Sequence, residues 1–200
     1  MRLLMRFARF LYGLKTQSTG NYDVIVPLGY GLDVENNLPV AEQQVLTMAV
    51  SMAKSNQALL VWASSSYFFR GSEKHEDQLK EKFVRDQKFA GEVVVSSGIS
   101  NSVTEAREIK EALQRKGVKS GRFAVVLDWP HARSARKIWR KTFPGFSIDF
   151  VSIQGVWNRS NRAYLQQSEF RWLAACILRH VALIVLGLDR VAKIQHPIEK

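Results

Sequence analysis

The stretch from Arg122 to Phe143 reads RFAVVLDWPHARSARKIWRKTF, an apolar run of the strand type that passes through a short polar junction into a helical pattern. Comparable apolar runs at 22–29, 58–63, 92–96 and 146–151 alternate with segments whose apolar residues recur at helical spacing. Because strands that alternate with helices require right-handed crossovers, the sequence predicts a doubly wound, mostly parallel α/β sheet of about five strands.

Helices are predicted on both faces of this sheet, at 39–52, 72–89, 102–116, 131–143 and from about 163 to 191. The second of them is highly charged, so we expect an exposed helix with only a thin buried stripe. The last is long and closes the chain. Its apolar run contains Arg171, Arg179 and His180, which favours an amphipathic or buried core helix over a membrane span.

The composition is that of a single globular domain. The chain has 200 residues, of which 46% are hydrophobic and 24% are charged. Its one cysteine, Cys176, excludes an intrachain disulfide and a cysteine-based zinc site, and its apolar surroundings predict burial. The four histidines are scattered, so no metal site is expected. The fold needs no cofactor to explain it, and the identity of any cofactor stays open.

The N-terminal 20 residues form a separate basic amphipathic segment before a single domain at 21–200. Arg2, Arg6 and Arg9 interrupt the apolar residues, so the segment is not an export signal. On a helix these arginines lie opposite the leucines and phenylalanines, which is the pattern of a short interfacial helix. Packing on the domain and contact with a membrane remain alternatives. We therefore expect a cytoplasmic protein, with peripheral contact at the inner membrane face as the second possibility.

Polar residues that follow the first two strands are candidate ligand contacts, because ligands of such sheets bind beyond the carboxyl ends of the strands. Gly29 and Gly31 follow the first strand and would let backbone amides approach a ligand. An ordinary turn fits equally well, since Val34 stands where a dinucleotide fingerprint has its third glycine. Ser64 begins a run of three serines after the second strand, which can bind an anion or complete a turn.

The third junction is a hydroxyl-rich loop that runs into the helix beginning near Ser102. Ser102 and Glu105 have the spacing of a capping box, in which each side chain satisfies a free backbone amide. This interpretation leaves Ser100 and Asn101 as candidate ligand contacts at the N-terminus of the helix.

The fourth junction brings Asp128, His131 and Arg133 within one helical turn of a strand end. A histidine here can be a general base, a ligand contact or a capping residue. The helix that follows carries five basic residues around an aromatic stripe: Arg133, Arg136, Lys137, Arg140 and Lys141. A solvated basic face is one interpretation, and contact with nucleic acid or an acidic membrane is the other.

The ordered set of junctions resembles the family of YdcF, SanA and ElyC, bacterial proteins with a Rossmann-like fold and largely undefined biochemistry. The resemblance lies in Asp23–Gly31, Asn101–Ala106 and Val125–Arg136, while three serines at 64–66 replace the family's Ser-Gly-Gly and the acid falls one residue later, at Glu105. It implies a link to cell-envelope biogenesis. It also allows S-adenosylmethionine or another polar metabolite as the ligand.

Two functions are therefore predicted. In the first, a small polar or phosphorylated ligand, S-adenosylmethionine or a nucleotide-like metabolite among them, binds at the strand ends. Its contacts would be Gly29, Gly31, Ser64, Ser100, Asn101, Ser102 and Arg133, with His131, Glu105 and Asp128 as acid or base. In the second, the chain is a basic adaptor for nucleic acid or for the anionic inner membrane surface, as the net charge of +11 allows. Catalysis and oligomeric state are left open.

Overall fold

The computed structural model describes Tyr12 and residues 20–65, 75–99, 101–154, 157 and 164–193. Its sheet has five parallel strands: β1 (Val24–Pro27), β2 (Leu59–Ser65), β3 (Val93–Ile99), β4 (Gly121–Asp128) and β5 (Phe146–Ile153). Their order across the sheet is β3-β2-β1-β4-β5. The predicted fold is confirmed, and the sheet is parallel throughout.

The described residues contain six α-helices that connect or follow the strands: α1 (Val40–Asn56), α2 (Glu76–Asp86), α3 (Ser102–Arg115), α4 (Ala132–Thr142), α5 (Glu169–Val185) and α6 (Leu188–Lys193), with a 3-10 helix at Tyr164–Gln167. The helices α1 and α2 cover one face of the sheet. The other face is covered by α3 and α4, and Leu183 and Leu188 from the C-terminal helices join that core. Because both faces are covered, the strands are apolar almost throughout.

The strand order reverses at β1, and this reversal decides where a site can form. From β1 the chain moves outward to β2 and β3 and then returns to place β4 on the other side of β1. The loops after β1 and β4 therefore leave the sheet side by side but towards opposite faces, which opens a crevice at the carboxyl edge. Gly29 and Tyr30 follow β1 at this point, Asp128 is the last residue of β4, and His131 lies in the turn after it.

The charged helix α2 has a thin buried stripe, as predicted, but the stripe is mostly charged. Its buried residues are Glu76, Lys80 and Val84, so two of the three positions that face the core carry charge. Charge is tolerated there because Lys80 is paired with carboxylates inside the protein, as described below.

The C-terminal helix is present as α5, but it ends before Gly187. This glycine has a φ of 78°, in the left-handed region that ends helices and that glycine adopts most easily. Cys176 on α5 is fully buried, as predicted. No helix in the described part of the chain is long and apolar enough to cross a membrane. The N-terminal segment lies outside the described residues apart from Tyr12 and Gly20.

Candidate functional site

Three polar side chains from different elements meet at the crevice beside β1. Ser102 Oγ, at the start of α3, lies 3.3 Å from His131 Nε2, which precedes α4. Arg179 of α5 donates from Nη1 to both atoms, also at 3.3 Å. His131 is only 5% exposed, while Ser102 and Arg179 are half-buried. The serine and the arginine are therefore partly accessible to solvent, whereas the histidine is not.

His131 is neutral at physiological pH. Burial, together with the charge of Arg179, lowers its pKa from 6.5 to about 3. Since the guanidinium can only donate, Nε2 accepts, and the ring proton resides on Nδ1. The Ser102 hydroxyl can then accept from Arg179 and donate to Nε2. The hydroxyl and the guanidinium thus share the single lone pair of Nε2, and a pKa near 3 makes this nitrogen a weak base at neutral pH.

Asp128 organises the turn between β4 and α4. Its carboxylate accepts hydrogen bonds from the Tyr30 hydroxyl, from Trp172 Nε1 at 2.9 Å and from the backbone N–H of His131 at 3.0 Å. Burial raises the pKa of Asp128, and these three donors act in the opposite direction. Asp128 therefore fixes the backbone of His131, and its hydrogen bond holds the Trp172 ring near the imidazole, 5.9 Å between centroids.

A second buried cluster lies on the other side of the β1 turn. Lys80 Nζ is 2.6 Å from Glu76 Oε1 and 3.0 Å from Glu42 Oε1, and all three side chains are buried. Glu105 of α3 is also buried and accepts a hydrogen bond from the Gly29 N–H at 3.3 Å. We call these four side chains the buried acid cluster. It places three carboxyl groups around a single cation.

The environment of the buried acid cluster shifts the protonation of its members. Burial raises the pKa of Glu105 from 4.5 to about 8, with Glu42 and Glu76 adding to the rise and Lys80 and the Gly29 N–H opposing it. Burial also opposes the charge of Lys80, but Glu42 and Glu76 outweigh it and hold the pKa of Lys80 above its ordinary value. At neutral pH Glu105 is thus mostly protonated, and Lys80 remains a cation.

The two groups of side chains are connected. Tyr30 donates from its backbone N–H to Glu42 Oε2 at 2.5 Å and from its hydroxyl to Asp128. Ser102 and Glu105 lie one turn apart on α3, so the same helix presents a residue to each group. The carboxyl edge of the sheet therefore holds one continuous polar network, running from Lys80 to Arg179.

The predicted capping box at Ser102 and Glu105 is wrong. Asn101 is the N-cap, and its Oδ1 accepts from the N–H groups of Val103 and Thr104, while Thr104 Oγ1 accepts from Asn101 N–H. The box is shifted by one residue because Asn101 has the extended backbone that an N-cap requires. The shift frees Ser102 for His131 and turns Glu105 inward.

The remaining predicted ligand contacts are spread along the edge. Gly31 has a φ of 75°, which a tight turn explains. The Ser64 hydroxyl is buried and has no hydrogen-bond partner among the described residues. Arg133 donates to the Tyr12 carbonyl at 2.5 Å and lies over its ring, so the guanidinium beside His131 is that of Arg179. Ser100 lies outside the described residues.

Six members of the network were not predicted from the sequence: Tyr30, Glu42, Glu76, Lys80, Trp172 and Arg179. Arg179 was noted only as a charge that argues against a membrane span. An arginine inside an apolar helix also indicates a buried polar partner, so Arg179 could have been predicted as a member of the site. Glu76 and Lys80 have the spacing of an ordinary exposed ion pair, so nothing in their pattern distinguished a buried pair.

A cavity of about 760 Å³ lies at the opposite edge of the sheet, near the starts of β1 and β2. Its polar lining residues include Asp23, Lys54 and Lys88, all of which are exposed. The buried titratable groups are at the carboxyl edge, so we assign the candidate site there. No group of three or more histidine, cysteine or acidic side chains among the described residues could hold a metal ion.

Comparison of the chain with protein-family models, with curated proteins and with solved structures finds no match. The resemblance to YdcF, SanA and ElyC therefore has no support beyond the fold itself. The architecture is that of a Rossmann-like domain with a five-stranded parallel sheet, and a fold of this kind hosts many unrelated functions.

Proposed function

We propose that the chain binds a small polar or phosphorylated ligand in the crevice between β1 and β4. The observation that carries the proposal is the meeting of Ser102, His131 and Arg179 within 3.3 Å of one another at the strand reversal. Arg179 supplies a permanent positive charge for an anionic group, Ser102 a hydroxyl, and neutral His131 an acceptor.

Two further observations favour a ligand at this edge. Buried titratable groups with shifted pKa values cluster at functional sites, because such groups are costly to place in a core that needs only apolar contacts. The Ser64 hydroxyl at the end of β2, which has no hydrogen-bond partner in the described part of the chain, is a buried polar group that a ligand would satisfy. Gly29 and Gly31 would then form the floor beneath the ligand.

The resemblance to the YdcF, SanA and ElyC family extends the proposal to a class of ligand. S-adenosylmethionine or a nucleotide-like metabolite fits a crevice at the strand reversal of a Rossmann-like sheet. The proposal includes a link to cell-envelope biogenesis. Should the site also catalyse a reaction, Ser102 would act with His131 as its base, and Glu105 would be the group able to donate a proton at neutral pH.

A thermal-shift screen tests the proposal. The probes are nucleotides, S-adenosylmethionine and phosphorylated sugars, applied to the full chain after native mass spectrometry for any molecule carried through purification. A ligand at a hundred times its Kd stabilises by about 2.7 kcal/mol, which raises the Tm of a domain this size by roughly 5–10 °C.

We expect His131→Ala and Arg179→Ala to remove that shift while remaining folded. The matched control is Arg171→Ala, which changes an arginine of the same helix that stacks on Tyr164, 4.0 Å from the ring centroid. The proposal fails if none of the probes binds the wild type, or if both site variants bind as tightly as the control.

A further inference from the structure

One face of α5 is apolar and exposed. Its residues recur at helical spacing along the whole helix: Phe170, Ile177, Leu178, Val181, Ile184 and Val185. Leu178 and Val185 are 71% and 72% exposed, while the opposite face carries Cys176 and Leu183 in the core. Contiguous aliphatic surface of this extent is unusual on a protein surface unless something binds it. We call it the α5 apolar face.

A basic groove lies between α4 and α5. It encloses about 560 Å³ and is lined by Arg133, Arg136, Lys137, Arg140, Lys141 and His180. Among the described residues, the ion pairs do not include Arg136, Lys137, Arg140 or Lys141. The groove therefore concentrates positive charge that the described part of the chain does not pair, in a protein whose net charge is already +11.

The α5 apolar face and the basic groove are adjacent. His180 lines the groove, and its neighbours one turn away on α5 are Ile177 and Ile184, both exposed. Tyr12 packs at the same boundary, edge-on to His180, and donates to the Cys176 carbonyl at 3.1 Å. The aliphatic side chains of α5 and the cations of Arg136, Lys137, Arg140 and Lys141 thus belong to adjoining parts of one surface.

We propose that the α5 apolar face and the basic groove together dock the protein onto an anionic lipid bilayer. In this arrangement α5 lies along the interface with its aliphatic side chains among the acyl chains, and the groove contacts the headgroups. An anionic bilayer offers the complementary groups, apolar acyl chains next to anionic headgroups. In this proposal α5 contacts the bilayer along its surface, because no described helix is long and apolar enough to cross it.

Two other occupants fit the surface less well. A second copy related by a two-fold axis would bring two equivalent basic surfaces close together, and like charges oppose that pairing. Nucleic acid would use the groove, but bases stack on aromatic rings, and Phe170 is the one aromatic ring among the six residues of the α5 apolar face, so the five aliphatic side chains would stay in water.

Vesicle flotation with the full chain tests the proposal. One set of vesicles contains one part phosphatidylglycerol to two parts phosphatidylcholine, and the other contains phosphatidylcholine alone. We expect flotation with the anionic set only, and weakening at high ionic strength, where the screening length falls to about 3 Å. Each cation near an anionic surface contributes about fivefold to partitioning, so Lys137→Gln with Arg140→Gln should lower it roughly 25-fold.

The apolar arm of the test is Leu178→Ser with Val185→Ser, which should abolish flotation while leaving the Tm unchanged, because both side chains are exposed. Arg85→Gln with Lys116→Gln removes the same charge from exposed positions elsewhere and should float like the wild type. No flotation of the wild type at low salt overturns the proposal, as does equal flotation of the serine variant. Dimerisation, or binding of RNA or DNA, without flotation would assign the surface to another occupant.

Discussion

Replacing Glu105 with glutamine should change how the stability of the protein depends on pH. In the folded protein the pKa of Glu105 is about 8, while the unfolded chain has the ordinary value of 4.5. Between these values the folded state holds the proton that the unfolded state has released. Glu105 therefore stabilises the fold fully below pH 4.5, loses that effect as the pH rises, and contributes nothing of this kind above pH 8.

The size of the effect follows from the shift. Each pH unit between the two pKa values lowers the free energy of unfolding of the wild type by about 1.4 kcal/mol. Glutamine has nearly the shape of the protonated acid and keeps an oxygen for the Gly29 N–H. We expect Glu105→Gln to match the wild type near pH 4.5 and to exceed its stability by up to about 4 kcal/mol at pH 9.

Urea unfolding at a series of pH values measures this difference directly, because other titrating groups cancel between the two proteins. Glu111→Gln is the matched control, since it makes the same chemical change at an exposed position of α3. If the difference between Glu105→Gln and the wild type is the same at pH 5 and pH 8.5, burial does not hold a proton on Glu105 and the reasoning is wrong.

Two other substitutions test the same edge of the sheet. In Gly29→Ala the new Cβ would lie 2.8 Å from Lys80 Nζ, which carboxylates hold in place, so we expect a loss of about 1–3 kcal/mol in urea unfolding. Gly145→Ala, whose Cβ meets nothing within 4 Å, is the control, and equal losses would contradict the packing explanation. His131 has a pKa near 3 in the folded protein, so it stabilises the fold above pH 6.5 and loses this effect as the pH falls to 3. The free energy of unfolding of the wild type should therefore decline over this range, and His131→Gln should make the decline shallower by about 1.4 kcal/mol per pH unit. If the free energy of unfolding declines equally in both proteins below pH 6.5, His131 has its ordinary pKa in the folded protein.

The fold could be predicted from the sequence because its signals are local. The apolar run at 58–63 and the run within β4 each specify a strand covered on both faces, and the alternation with helical segments leaves few topologies. The order of the strands in the sheet, with its reversal at β1, could not be predicted from the alternation of strand and helix segments. The reversal depends on which strands pair, and pairing is a long-range property of the whole sheet.

The site was predicted in part, for a physical reason that differs from residue to residue. His131 and Glu105 stand at strand ends or helix starts, where position alone marks them. Arg179 and Lys80 come from helices remote in sequence, and only packing brings them to the edge. The sequence could not show that Asn101 and not Ser102 is the N-cap, because both residue types cap helices well and the backbone conformation decides between them.

The protonation states at this edge fit the proposed ligand site. An isolated glutamic acid is ionised at pH 7, but Glu105 with its pKa near 8 mostly keeps its proton. An isolated histidine is partly protonated there, but His131 with its pKa near 3 is not. The helix α3 thus presents a proton donor at Glu105 and, through Ser102, reaches a proton acceptor one turn earlier. Under the proposed function these opposite shifts would make Glu105 the proton donor and His131 a weak acceptor, because a pKa near 3 leaves the imidazole little basicity at neutral pH.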